Sequence, residues 1–135
     1  MPAQTRLPVP RTNYPAPVSS FELERVDAGE PGSACVRVAG EVDLSNATEL
    51  AEQLGDVPDT QKLVVDLNRV VFIDSAALHV LFDVARRRGR GRLAFVIEPS
   101  APIATTVAIV ELHRAAPVAA SLDEARTALE HAPSA

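Results

Sequence analysis

Apolar and polar residues alternate in the first two apolar segments of the chain, and alternation is the pattern of half-buried β-strands. In FELERV, the apolar residues Phe21 and Leu23 are separated by glutamates. In ACVRVAGEV, Val36 and Val38 lie on either side of Arg37. The turn-forming stretch AGEPGS (28–33) lies between the two segments, so the pattern predicts a β-hairpin.

A helical period replaces the alternation in the segment DLSNATELAEQLG. Its apolar residues recur at intervals of three and four and share one helix face: Ala47, Leu50, Ala51 and Leu54. Asn46 followed by Glu49 predicts a capping box at the start of this helix, and Gly55 predicts its end. The next segment, KLVVDL, is short, apolar and rich in valine, which predicts a buried strand with a neighbour on each side.

A second helix is predicted from residue 75 to residue 88, with Gly89 as its stop. One face is apolar: Ala77, Leu78, Leu81, Val84 and Ala85. The opposite face is a polar stripe: Ser75, His79, Asp83, Arg86, Arg87 and Arg90. Ser75 should therefore point outward in the first turn, just past the end of a strand. In open α/β sheets that edge is where ligands and partners bind.

The remaining segments complete an α/β pattern. RLAFVIE predicts a strand, residues 100–110 a helix, APVAAS a short strand, and SLDEARTALEH a helix capped by Ser121 and Glu124. The order favours an α/β fold with a mixed, mainly parallel sheet of four to five strands and about four helices. We assign residues 18–132 to this single domain. Residues 1–17 contain five prolines and predict a flexible tail.

Charge and composition narrow the classes of function. The formal net charge is −5, which argues against nucleic acid or an anionic membrane as the main partner. Cys35 is the only cysteine, so an internal disulfide is impossible. No apolar run reaches the roughly 18 residues of a membrane span, and the N-terminus lacks the apolar core of a secretory signal. We therefore expect a cytoplasmic protein.

Asp74 and Ser75, in FIDSAALHVLF (72–82), lie at the junction between a predicted strand and a predicted helix. Three roles are open to Ser75: helix cap, nucleophile or phosphorylation site. Both residue types are favoured caps, and a helix N-terminus also stabilises a phosphate. A GxSxG elbow is lacking, so the nucleophile is the weakest of the three.

Two other features nearby have ordinary explanations. His79 and Asp83 have the spacing of a metal pair, but with no third ligand in the pattern a solvated helix face is favoured, and we predict no metal. The segment RRRGRGR lacks the strand–loop–helix order of a phosphate loop, so we interpret its arginines as a basic patch after the helix. We predict neither catalytic residues nor a cofactor.

Two blocks of the sequence, VAGEVDLSNATELAEQL and KLVVDLNRVVFIDSAALHVLF, resemble the STAS domain of anti-sigma factor antagonists. The resemblance runs over about residues 18–131 and implies the STAS fold. It also implies a partner, an anti-sigma factor that is a serine kinase of the GHKL ATPase type. The unphosphorylated antagonist captures this kinase and thereby releases a sigma factor. Phosphorylation of the antagonist weakens the complex, and a PP2C-type phosphatase reverses the modification.

The resemblance also implies roles for individual residues. Ser75 matches the serine that the kinase phosphorylates, and Asp74 matches its acidic neighbour. Asp43 matches the acidic residue of the adjacent loop. The partner-binding surface predicted in this way comprises Asp43, Asn46, Asp74, Ser75, Ala76 and His79. Where the family often has a second hydroxyl residue and then glycine, this chain has Ala76 and Ala77.

Two alternative functions remain open. One is a STAS scaffold or accessory subunit without a switch, in a stressosome-like assembly or a lipid-transport complex. The other is a module that binds a nucleotide or a small anion at the same edge of the sheet. A role as the tail of a transporter is disfavoured, because we expect no membrane span in this chain.

Overall fold

A computed structural model describes residues 21–131 of the chain, and the predicted tail (1–17) lies outside them. Residues 21–131 form five strands, β1 Phe21–Val26, β2 Ser33–Val42, β3 Lys62–Ile73, β4 Leu93–Val96 and β5 Val118–Ala119. The four helices are α1 Ala47–Gly55, α2 Ser75–Arg88, α3 Ala104–Ile109 and α4 Leu122–His131. A 3₁₀ turn at Leu112–Arg114 connects α3 to β5.

The strands form one sheet in the order β1-β2-β3-β4-β5. The hairpin pairs β1 with β2 antiparallel, so that Phe21 lies opposite Gly40. All other pairs are parallel, because each of β2, β3 and β4 is followed by a helix that returns the chain to the same end of the sheet. The predicted α/β fold with a mixed, mainly parallel sheet is confirmed.

The two faces of the sheet are covered unequally. One face carries the main core, to which α1, α2 and α3 contribute Leu50, Leu81 and Val107. The predicted apolar face of α2 is confirmed, since all five of its residues are buried. The other face carries a smaller cluster in which Ala125 and Leu129 of α4 pack near Cys35 and its strand neighbours.

Strand β3 is longer than KLVVDL predicted, and its alternation is interrupted twice. Its core residues are Leu63, Val65, Leu67, Val70 and Ile73. The spacing changes from two residues to three because β3 has extra residues opposite β2, once between Asp66 and Arg69 and once between Val70 and Phe72. A bulge of one residue turns the following side chains to the opposite face of the sheet.

The helix starts follow the predicted chemistry in one case and not in the other. At α4 the Glu124 N–H donates to Ser121 Oγ over 3.1 Å, and Glu124 Oε1 accepts from the Ala120 N–H. At α1 the capping box is wrong, because Asn46 makes no side-chain bond to the helix that it precedes. Helix α1 also includes Gly55, and Asp56 takes the C-cap position.

The interpretation of the RRRGRGR arginines as a basic patch is wrong for two of them. The Arg88 side chain is only 5% exposed and donates to the carbonyls of Val57, Pro58 and Gln61 over 3.1, 3.0 and 2.7 Å. Arg92 donates to the Asp59 carbonyl in the same loop. These two arginines fasten the α1–β3 loop to the end of α2.

Candidate partner-binding site

The ends of β2 and β3 are joined where the chain turns into α1 and α2. The Asp74 N–H donates to the Val42 carbonyl over 3.1 Å, which continues the pairing between the strands by one residue. The turn Asp43–Asn46 therefore lies directly beside the first residues of α2. Both segments lie at the carboxyl edge of the parallel strands, where α/β sheets bind their ligands.

The side chain of Asp74 makes two hydrogen bonds, each with one carboxylate oxygen. Oδ1 accepts from the Ala77 N–H over 3.1 Å and caps α2. Oδ2 accepts from the Leu44 N–H, also over 3.1 Å. Asp74 is thus the helix cap, and the same carboxylate holds the neighbouring turn. Ser75 is the first residue of the helix rather than its cap.

The turn Asp43–Asn46 is held by a network of its own. Asn46 Oδ1 accepts from the Asp43 N–H, and its amide nitrogen donates to the Glu41 carbonyl, both over 2.9 Å. Asp43 Oδ1 accepts from the Ser45 N–H over 2.9 Å and from the Ser45 hydroxyl over 2.6 Å. Asn46 is itself buried, with 8% of its surface exposed. Asp43 and Asn46 therefore fix the shape of this turn.

Ser75 is exposed at the first position of α2. The first N–H groups of a helix have no partner within it and carry a partial positive charge. A phosphate on the Ser75 hydroxyl would lie near these groups, so the helix can accommodate it. Asp74 already caps the helix, which leaves the Ser75 side chain unnecessary for that task.

The two polar residues farther along α2, His79 and Asp83, have different surroundings. His79 is exposed one turn after Ser75. Asp83 is engaged by two arginines of its own helix, Arg86 and, over 2.9 Å, Arg87. Among the described residues no group of three histidine, cysteine, aspartate or glutamate side chains is arranged to hold a metal ion.

Three large apolar side chains are exposed at this same edge: Leu44 at 77%, Val71 at 56% and Phe72 at 52%. We call these residues the Leu44–Phe72 patch. Phe72 lies opposite Glu41 in the sheet, and Leu44 is bonded to Asp74, so the three residues come from neighbouring strand ends. Exposed apolar side chains grouped in this way mark sites of protein association.

The sequence pattern missed this patch. Leu44 lies three residues before Ala47, so an extended helical period would have placed it on the buried face. The turn ends that period and leaves Leu44 outside. Phe72 is exposed because the second bulge of β3 turns it away from the main core. The only sequence feature that indicated the patch was Leu44 itself, an apolar residue between the polar residues Asp43 and Ser45.

The structure brings four of the six predicted site residues into one connected group. Asp43 and Asn46 hold the turn, and Asp74 joins the turn to the helix that begins with Ser75. Ala76 follows on α2 and is half-buried. His79 is the outlying member, one helical turn away from the edge.

The family model of the STAS domain matches residues 25–125, and the chain therefore belongs to the STAS domain family. It is similar to the crystal structure of an anti-sigma factor antagonist from Mycobacterium paratuberculosis. The sequence identity is 28%, the TM-score is 0.69, and the match covers 82% of this chain and 95% of that chain.

Two further crystal structures share the fold at lower identity. A candidate anti-sigma factor antagonist from Thermotoga maritima has a TM-score of 0.58 at 19% identity, over 82% of this chain and 95% of that one. A sulfate transporter family protein from Wolinella succinogenes has a TM-score of 0.57 at 18% identity, over 75% and 87%. In the part of the present chain that the structure describes, no helix has the length and apolar character to cross a membrane.

Proposed function

We propose that this protein is an anti-sigma factor antagonist that binds a serine-kinase anti-sigma factor, releases a sigma factor, and is regulated by phosphorylation of Ser75. The observation that carries the proposal is the exposed Ser75 at the start of α2, beside the Leu44–Phe72 patch. A modified residue at the rim of an apolar docking surface can control the docking. The similarity to the antagonist from Mycobacterium paratuberculosis supports the same function.

Each of the site residues has a role in this proposal. Ser75 accepts the phosphate, and Asp74 positions both Ser75 and the neighbouring turn. Asp43 and Asn46 present that turn to the kinase. Ala76 and His79 line the approach along α2. Because Asp43 bonds to Ser45, replacement of Asp43 would change the shape of the turn as well as remove a contact.

Phosphorylation changes the charge at this edge more than its fold. A phosphoserine adds roughly two negative charges at neutral pH. At Ser75 these charges would lie next to the Asp74 carboxylate and within the surface that the kinase covers. The kinase must bring nucleotide phosphates to the Ser75 hydroxyl for transfer. After one phosphoryl group has moved to Ser75, the phosphoserine would repel the phosphates that remain on ADP, and the complex would weaken.

A constitutive accessory subunit is the alternative function, and the Leu44–Phe72 patch supports it too. An apolar patch can dock a partner whether or not Ser75 is modified. In this chain Ala77, two residues after Ser75, is fully buried, and family members often have glycine at that position. The two functions differ in whether partner binding depends on the state of Ser75.

Phosphorylation assays distinguish the two functions. The full chain is incubated with ATP and, separately, with each purified GHKL-type anti-sigma factor encoded in the same genome, and peptide mass spectrometry locates any phosphate. We expect one kinase to modify Ser75, a PP2C-type phosphatase to remove the phosphate, and Ser75→Ala to stay unmodified. Ser100→Ala, an exposed serine far along the chain, is the matched control and should be modified as wild type.

The same analysis of protein isolated from its native cells tests the switch in vivo. A phosphate on Ser75 that varies with growth or stress would support the regulated antagonist. An unmodified Ser75 under all conditions, together with a kinase that binds the chain and leaves it unmodified, would favour the accessory subunit.

A further inference from the structure

Leu44 of the Leu44–Phe72 patch lies just before helix α1, whose exposed charged side chains are all acidic. From Glu41 to Gln61 the chain has six acidic residues and no lysine, arginine or histidine. Glu49 and Glu52 of α1 and Asp56 at its C-cap are exposed and follow one another at intervals of three and four residues. They share one face of the helix, and in the described part of the chain no basic side chain pairs with them.

This arrangement costs the isolated domain stability in two ways. Like charges at these spacings on a helix repel one another. The three exposed side chains of the patch also leave apolar area in water. The arginines of α2 make no ion pair with these three residues, because Arg86 and Arg87 are paired with Asp83. Arg88 lies 3.6 Å from Asp59 and donates to carbonyls of the α1–β3 loop. A partner that covers the patch with a basic surface would remove both costs.

We infer that the Leu44–Phe72 patch and the acidic face of α1 form one docking surface, and that the partner is positively charged there, with an apolar pocket for Leu44. The inference rests on the proposed function and specifies the chemistry of the kinase surface. Leu44 suits the role of an anchor, because its N–H is already fixed by Asp74 over 3.1 Å. Because the backbone is already ordered there, binding has to order only the Leu44 side chain.

The charge on α1 and the charge on Ser75 act separately in this arrangement. The acidic face steers the basic partner toward the domain, whether or not Ser75 carries a phosphate. The phosphate acts only where the nucleotide phosphates approach Ser75. A change of charge on α1 should therefore alter the affinity of both forms by the same factor, and leave the ratio between them unchanged.

Two matched pairs of variants test the inference, with the purified kinase that phosphorylates the full chain as the probe. Leu44→Ala is compared with Ile109→Ala, because Ile109 on α3 is exposed to nearly the same extent, 75% against 77%. Glu52→Lys is compared with Glu130→Lys, which makes the same charge change on α4. Kd and the association rate are measured at low and at high salt, with and without phosphate on Ser75.

We expect Leu44→Ala to raise Kd about tenfold, as truncation of an interface anchor does. Glu52→Lys should raise Kd about tenfold at low salt, mainly through slower association, and less at high salt. Ile109→Ala and Glu130→Lys should stay within about twofold of wild type, the range of contacts outside an interface. If the kinase binds wild type but has the same affinity for both variants of either pair, this inference is overturned and the proposed function still stands. If wild type binds no such kinase, the proposed function fails, and the inference fails with it.

Discussion

The Leu44 N–H donates a hydrogen bond to Asp74 Oδ2, and this bond joins two turns that lie 30 residues apart in the chain. The other oxygen of the same carboxylate caps α2. The exposed apolar residue of the β2–α1 turn and the start of the helix that carries Ser75 are thus held by one side chain. A substitution that alters either turn should therefore change the conformation of the other.

Replacement of Asp74 by alanine should destabilise the fold, because it removes the cap of α2 and the bond to Leu44 together. We expect the free energy of unfolding to fall by about 1 to 2 kcal/mol in urea titrations. Asp74→Asn, which keeps one carbonyl oxygen as an acceptor, should lose less. Asp123→Ala removes an exposed aspartate of α4 and should change stability by about 0.5 kcal/mol or less. Equal losses for Asp74→Ala and Asp123→Ala would contradict the dual role.

Glu111 has φ 59° and ψ 44°, a left-handed conformation that side chains disfavour and glycine adopts freely. Glu111→Gly should therefore raise the free energy of unfolding, by about 1 kcal/mol. The lost ion pair with Arg114 is exposed on both sides and contributes little. The matched change Glu52→Gly, inside α1, should lower stability by about 1 kcal/mol. Thermal unfolding of the two variants should show shifts of opposite sign.

Much of the fold could be predicted from the sequence, because burial follows local periodicity. The apolar face of α2, the hairpin and the cap at Ser121 each depend on residues within a few positions of one another. The clamp by Arg88 could not be predicted in this way. It joins α2 to carbonyls 27 to 31 residues earlier, and an arginine in an RRRGRGR run has the pattern of a solvated one.

Residues of the candidate site could be selected from the sequence, but the hydrogen bonds that arrange them could not. Asp43, Asn46, Asp74 and Ser75 were selected by resemblance and lie together. The bonds between them depend on the register of β2 against β3, which the two bulges of β3 determine. Local sequence does not reveal a bulge, so the exposure of Phe72 and the anchoring of Leu44 emerged only from the structure.

Arg88→Ala should destabilise the protein strongly, because it removes the buried side chain that fastens the α1–β3 loop to the end of α2. Three carbonyls, those of Val57, Pro58 and Gln61, would lose their donor, and the bonds to Val57 and Gln61 are partly buried. We expect a loss of about 2 to 4 kcal/mol in the free energy of unfolding. Arg87→Ala, one residue earlier, removes an exposed arginine paired with Asp83 and should cost about 0.5 kcal/mol or less. Similar unfolding midpoints for the two variants would argue against the clamp.

Burial raises the pKa of the Cys35 thiol above its ordinary value of 9.0, and the charge of Asp66 raises it further. Because the unfolded chain then loses this proton at lower pH than the folded chain does, stability should fall as the pH rises past the unfolded pKa. Cys35→Ala should flatten that alkaline decline. A thiol reagent at pH 8 should modify native wild type slowly and the urea-unfolded chain rapidly. Fast reaction of the native protein would show that the smaller core cluster opens readily.

Ser75→Glu should separate the effect of charge on folding from its effect on binding. A negative charge at the first position of a helix is favourable by about 0.3 to 1 kcal/mol at exposed sites, and the nearby Asp74 carboxylate opposes part of that gain. The free energy of unfolding should therefore change little relative to Ser75→Ala.

Binding to the kinase should differ strongly, with Ser75→Ala close to wild type and Ser75→Glu weaker by about tenfold or more. Urea titrations and calorimetric binding on the same two proteins make the comparison. If Ser75→Glu binds as tightly as Ser75→Ala, charge at this position does not control docking, and the accessory-subunit alternative gains support.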